Sequence, residues 1–213
     1  MQHGLSLCYA SEAPPVADAE GNPMDSLMDD AYATGVLKPE IHSRLVANLS
    51  AYVQRANIQV PYVLDKMSKF GCNADEIAYV RTISRAADEG RFGLVYHGKE
   101  TQPVMPRMMA VAGACLRNFR DAKVMTVQAL LADLKTGEIP EARVLLVPNF
   151  FIERVEGGRL AEWLIADLLG MLYGRLSRGQ QTFLYISNFD ALRKTYGIPL
   201  AAHIQAHFQA TAA

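Results

Sequence analysis

The residues best placed to do chemistry lie in "YHGKETQPVMPRMMAVAGA", Tyr96 to Ala114, where a short apolar run meets a glycine, a lysine and the start of a helix. That order suits a phosphate. In GxxxxGK[ST] the backbone N–H groups ring the anion, the lysine neutralises its outer oxygens and the hydroxyl holds magnesium. Counted from Gly98, the loop reads Gly98-Lys99-Glu100-Thr101-Gln102-Pro103-Val104-Met105. Pro103 replaces the second glycine, which fixes φ and deletes a donor. Val104 and Met105 stand where the lysine and the hydroxyl are required, and Pro106 deletes another N–H. Lys99 comes too early in the loop. These residues predict poor nucleotide binding.

A later apolar run, "VLLV", points the same way. In phosphate-loop ATPases the corresponding strand ends in an Asp that orients magnesium, often followed by a Glu that activates water. Here it ends in Pro148 and Asn149, and neither offers a carboxylate. Two sites of one chemistry are altered together. His203 and His207 lie four apart on a helix, without the third ligand a catalytic metal wants. No GxSxG elbow supports a hydrolase. Asn188 suits a helix N-cap. Trp163 and Tyr173 sit in an apolar helix and are expected in the core. Val104, Met105, Met108 and Met109 are expected to pack the helix that follows the Gly98 loop, where phosphates would otherwise sit. No catalytic residue, cofactor or metal is expected.

The elements that position these residues are legible in part. Residues 1–23, with "APPVADAEGNP", read as a flexible leader. Residues 1–37 hold six acids and no Lys or Arg, which leaves 21 basic and 16 acidic side chains in the rest. Such a leader reads first as a solvated, poorly ordered tail; it also suits docking on a basic partner or shielding the body from nucleic acid. Apolar residues recur at helical spacing from Pro39 to Ala56. A second helix is expected from Pro61 to Gly71, and a third from an Asn73/Glu76 capping box to Gly90. After that the rhythm changes. Four short runs, "FGLVYH", "AKVMTV", "RVLLVP" and "TFLYIS", alternate with helices, which predicts βαβ units and a mainly parallel sheet covered on both faces. The long helix from Arg159 to Ser177 is apolar nearly all round, so burial on more than one side is expected. Three cysteines without CxxC spacing fit a reducing compartment. The absence of a membrane-length apolar run or a signal-like start predicts a cytoplasmic protein with no membrane partner.

Residues 92–204 resemble the ATPase domain of bacterial DnaC-type replicative helicase loaders and the related IstB-like transposition ATPases, a branch of the AAA+ proteins. The likeness rests on "GLVYHGK", "ARVLLVPN", "EWLIADLLGMLYGRLSRGQQTFLYISNF" and "LAAHI". The third segment is the most specific, with Glu162, Trp163, Tyr173, Arg175, Thr182, Ser187 and Asn188 in the family's places. The resemblance implies an AAA+-like P-loop fold of class α/β, with Asn188 as the polar sensor. It also puts His203, in Leu200-Ala201-Ala202-His203-Ile204, where the family carries an arginine finger. Ala213 would fall about where the fifth strand begins, leaving no lid. The family's N-terminal helices grip the replicative helicase, and its ATPase domain helps hold single-stranded DNA. Residues 24–90 are therefore expected to be a partner-binding region and 91–213 a degenerate ATPase core. The expected function is that of a catalytically inactive loader relative acting by protein–protein binding, of a kind suited to a phage or mobile element. The oligomeric state stays open. The alternatives are an NTPase using an unorthodox loop with Lys99, and a DNA-binding accessory protein.

Overall fold

The computed structural model describes residues 39–152 and 161–213, so the leader and the start of the long helix lie outside the described residues. Helix α1 spans Pro39–Ala56, α2 Val60–Leu64, α3 Ala74–Arg81 and α4 Ile83–Ala86. Strand β1 (Gly93–His97) leads to α5 (Val104–Arg117), β2 (Ala122–Val124) to α6 (Val127–Lys135), and β3 (Val144–Phe151) to α7 (Glu162–Ser177). Strand β4 (Gln181–Ile186) is followed by α8 (Phe189–Tyr196), α9 (Ile198–His207) and β5 (Gln209–Ala212). The sheet order is β2-β3-β4-β1-β5, and each pairing is parallel. Strand β4 thus lies between β1 and β3, and the ends of β1 and β4 meet at His97 and Ile186.

Period-two alternation along the strands divides the core between two faces. Leu94, Tyr96, Leu146, Phe183 and Tyr185 point into one cluster, shared with α5 and the N-terminal helices. Val95, Leu145, Val147, Leu184 and Ile186 point into the other, under α6 to α9. Residues 39–90 therefore share one core with the sheet.

Four expectations need correction. The helix expected from Pro61 to Gly71 breaks after Leu64, and a 3-10 turn, Met67–Phe70, precedes Gly71. Arg117 of α5 donates to the carbonyls of Val63 (2.6 Å) and Asp65 (2.8 Å), so a tertiary partner takes acceptors that a continuous helix would use. The next helix is interrupted at Thr82, whose backbone (φ −102°, ψ 9°) leaves the helical region. The fifth strand is present before Ala213. "QATA" carries little strand propensity, and it is held by backbone pairing with β1 from Leu94 to His97.

The fourth correction concerns α7. It buries only one stripe, Leu164, Leu168, Met171, Leu172 and Arg175, while Trp163 is 53% and Tyr173 52% exposed. Composition around the whole helix misled, because most of its apolar residues face a single side. Arg175 anchors this stripe: it donates to Thr182 Oγ1 (2.8 Å), Pro140 O (2.9 Å) and Gln181 O (2.7 Å). Burial and the neighbouring Arg178 lower its pKa to about 10, which leaves it charged at neutral pH.

The capping box is present as expected. Glu76 N donates to Asn73 Oδ1 (2.9 Å) and Asn73 N to Glu76 Oε2 (2.7 Å).

Helix α2 crosses α5 at Gly113, where an added Cβ would lie 2.0 Å from the Tyr62 carbonyl oxygen. Gly113→Ala should destabilise the fold by about 1–3 kcal/mol, as overpacking does, although the same change on an open helix face stabilises by up to ~1 kcal/mol. Chemical denaturation followed by circular dichroism measures it; an unchanged midpoint contradicts the close crossing.

Candidate functional site

The C-terminal edge of a parallel sheet is where ligands of such folds sit; the β1–α5 loop, Pro148 and Asn149 near the end of β3, and Asn188 after β4 lie at that edge, whereas His203 of α9 does not. Gly98 adopts φ +97°, a conformation that favours glycine. Its N–H donates to Ile186 O (3.2 Å), and its carbonyl accepts from the Tyr185 hydroxyl (3.2 Å). Thr101 donates to Ala213 O through both its backbone N–H (3.3 Å) and its Oγ1 (2.8 Å). Ala213 N in turn donates to His97 O (3.1 Å), extending β5 onto the loop. The loop's donors are thus depleted: those of Gly98 and Thr101 are engaged, and Pro103 and Pro106 have none. Glu100 is exposed in the same loop and adds negative charge where an anion would have to approach. Burial, and secondarily the Glu100 charge, raise the pKa of the Tyr185 hydroxyl.

The side chains at the motif positions have other tasks. Val104 and Met108 are fully buried in the core shared with the N-terminal helices, while Met105 is exposed and Met109 half-buried. The place of the phosphate lysine therefore faces the interior. Lys99 is exposed. Pro148 is buried in β3, where the register with β4 shifts between Val147 and Phe151. Asn149 is turned to α6: its Oδ1 accepts from Val127 N (2.8 Å) and its Nδ2 donates to Gln128 Oε1 (2.9 Å). Asn188 Oδ1 accepts from Asp190 N (3.0 Å) and Ala191 N (3.1 Å), the N-cap role expected of it.

His203 lies in the interior, 4% exposed, with its ring 4.4 Å from Tyr173 and 4.9 Å from His207. A finger that reaches a neighbouring subunit has to be exposed, so His203 is not placed to be one. Neither of its nitrogens has a hydrogen-bond partner among the described residues. Among those residues there is also no group of three or more His, Cys, Asp or Glu able to hold a metal.

Sequence reasoning missed the polar knot behind the loop. Arg107, in the first turn of α5, donates from Nη2 to Glu76 Oε2 (2.9 Å) and to Ala212 O (2.9 Å), and its guanidinium lies 5.1 Å from the centre of the Tyr96 ring. Both charged residues are buried. Asn73 Nδ2 reaches Thr211 Oγ1 (3.1 Å), and Cys72 Sγ donates to Arg107 O (3.5 Å). The available signal was a lone charge inside the apolar "VMPRMMAVAGA".

Comparison with solved structures finds the same α/β fold, a parallel sheet flanked by helices, in several proteins. DnaI aligns at 16% identity and TM-score 0.51, over 73% of this chain and 90% of its own. A putative primosome component from Streptococcus pyogenes serotype M3 aligns at 14% identity and TM-score 0.51, over 77% and 95%. A DNA replication initiation factor aligns at 12% identity and TM-score 0.51, over 73% of this chain, which spans half (50%) the length of that protein. No family model matches the chain, and no curated protein matches it. At these identities the likeness is one of fold. No helix among the described residues is long and apolar enough to cross a membrane.

Burial and the nearby His207 lower the His203 pKa from 6.5 to about 4. Between those values the unfolded chain binds the proton and the folded chain does not, so stability falls as pH drops from 6.5 towards 4. The loss should be about 2 kcal/mol. His203→Phe should remove that part of the slope in melting curves across this range; an unchanged slope contradicts the buried neutral ring.

Proposed function

We propose that this chain is a non-hydrolysing relative of the AAA+ replication loaders that works by gripping another protein. One observation carries the reading: at the edge of the sheet, the loop between β1 and α5 spends the N–H groups of Gly98 and Thr101 on Ile186 and Ala213, and Pro103 and Pro106 supply none. The loader-like fold, shared with DnaI and the primosome component, favours a replication protein as partner, and a replicative helicase is the specific candidate. Asn149 and Asn188 support the same reading, because each holds the first turn of a helix with the atoms that would face a cation or a γ-phosphate. The N-terminal helices are the candidate gripping surface. Val46 on α1, with Val60 and Leu64 on α2, leaves apolar side chains exposed there, which suits protein contact.

Three measurements test the proposal. Isothermal titration with ATP and magnesium should give no binding heat at micromolar concentrations, and no phosphate should be released; saturable binding overturns the closed loop that carries the reading, and phosphate release overturns the non-hydrolysing reading itself. If binding appears, Lys99→Ala decides whether the exposed lysine carries it. Size-exclusion chromatography with the replicative helicase of the source cell should show a complex that Val60→Glu with Leu64→Glu weakens at least tenfold. Separate elution of the wild-type chain and the helicase contradicts the assigned partner.

A further inference from the structure

Trp163 and Tyr173 are the only aromatic side chains among the described residues that are both large and more than half exposed, and they flank one face of α7. Between them that face presents Ala166, Asp167 and Gly170, all exposed. At Gly170 an added Cβ would meet nothing within 4 Å, so the middle of the helix is open to close approach. Arg178 follows the last turn, and its Nη2 would lie 3.8 Å from a Cβ added at Gly174, which places the guanidinium on the same face. The acid therefore lies towards the N-terminal end and the base at the C-terminal end, with an exposed aromatic towards each end and open space at Gly170.

Such a face is complementary to itself when reversed. At about 1.5 Å and 100° per residue, Trp163 and Arg178 stand about 10 Å and 12 Å from Gly170 in opposite directions. In an antiparallel pair crossing at Gly170 they come level on the same flank, indole against guanidinium. By the same spacing, Tyr173 meets Ala166 of the second copy on the other flank, a large side chain over a small one. Asp167 shares the flank of the incoming Arg178. A parallel pair would instead set Asp167 beside Asp167 and Arg178 beside Arg178.

We propose that α7 is a self-association helix through which two copies of this chain pair antiparallel, crossing at Gly170. The pairing contributes two indole–guanidinium contacts and covers both exposed aromatics, a cation–π arrangement favoured where the cation is partly desolvated. A single helix face is a small interface, so the dimer is reversible and depends on concentration.

Sedimentation equilibrium of the full chain over a wide range of concentration is the test, read alongside emission from Trp163, the only tryptophan in the sequence. A monomer–dimer equilibrium should appear, with emission shifting to the blue as the dimer forms. Gly170→Leu fills open space in the single chain and improves helix propensity, so its circular dichroism and melting should be retained while the dimer is lost. Arg178→Glu should weaken the dimer about tenfold, and combining it with Asp167→Arg should recover most of that loss. A single monomeric species at every concentration overturns the proposal. A dimer indifferent to Gly170→Leu overturns it as well. So does a wild-type monomer that captures an unrelated protein through this face, because that outcome assigns α7 to another occupant.

Discussion

A buried ion pair governs this structure. Glu76 and Arg107 are both removed from water, and such a pair is tolerated only when nearly every donor and acceptor is satisfied. The Glu76 carboxylate also accepts the Asn73 N–H, while the Arg107 guanidinium reaches the Ala212 carbonyl and lies over Tyr96. One pair thereby fixes α3 against α5 and ties both to β5. Removal of either partner would strand a charge in the core, at a cost of about 3–5 kcal/mol.

The consequence lies at the loop. Strand β5 runs parallel to β1, and its end delivers Ala213 to the backbone and hydroxyl of Thr101. The constraint that holds the C-terminal strand in place therefore also occupies the loop where a phosphate would be received. On the proposed reading, the change from an ATPase to a gripping protein involves more than the loss of a lysine. Val104 has joined the core, Asn149 holds α6, Asn188 caps α8, and His203 is sealed beneath Tyr173. Each position has acquired a structural task within the scaffold.

How much of this was legible depended on how local the cause was. Strands β1 to β4 could be read because each is a short apolar run bounded by polar or turn residues, and the parallel sheet followed from their alternation with helices. The Asn73–Glu76 cap and the Asn188 cap could be read because capping works within three residues. The break after Leu64 could not, since its cause is Arg117, more than fifty residues away in the chain. Strand β5 could not, because "QATA" is a strand by virtue of its neighbour β1. On α7 the apolar residues were counted correctly, but which arc faces the sheet is set by packing, and Trp163 and Tyr173 fell outside it. The knot around Arg107 was hidden for the same reason, with partners on three separate elements.

Amide hydrogen exchange at Gly98 and Thr101 tests the closed loop most directly, because the two N–H groups are committed to Ile186 and Ala213. Both amides should exchange slowly in the free protein and keep the same rates when magnesium and ATP are added. Fast exchange in the free protein, followed by protection on adding nucleotide, would contradict the account and return this loop to phosphate binding.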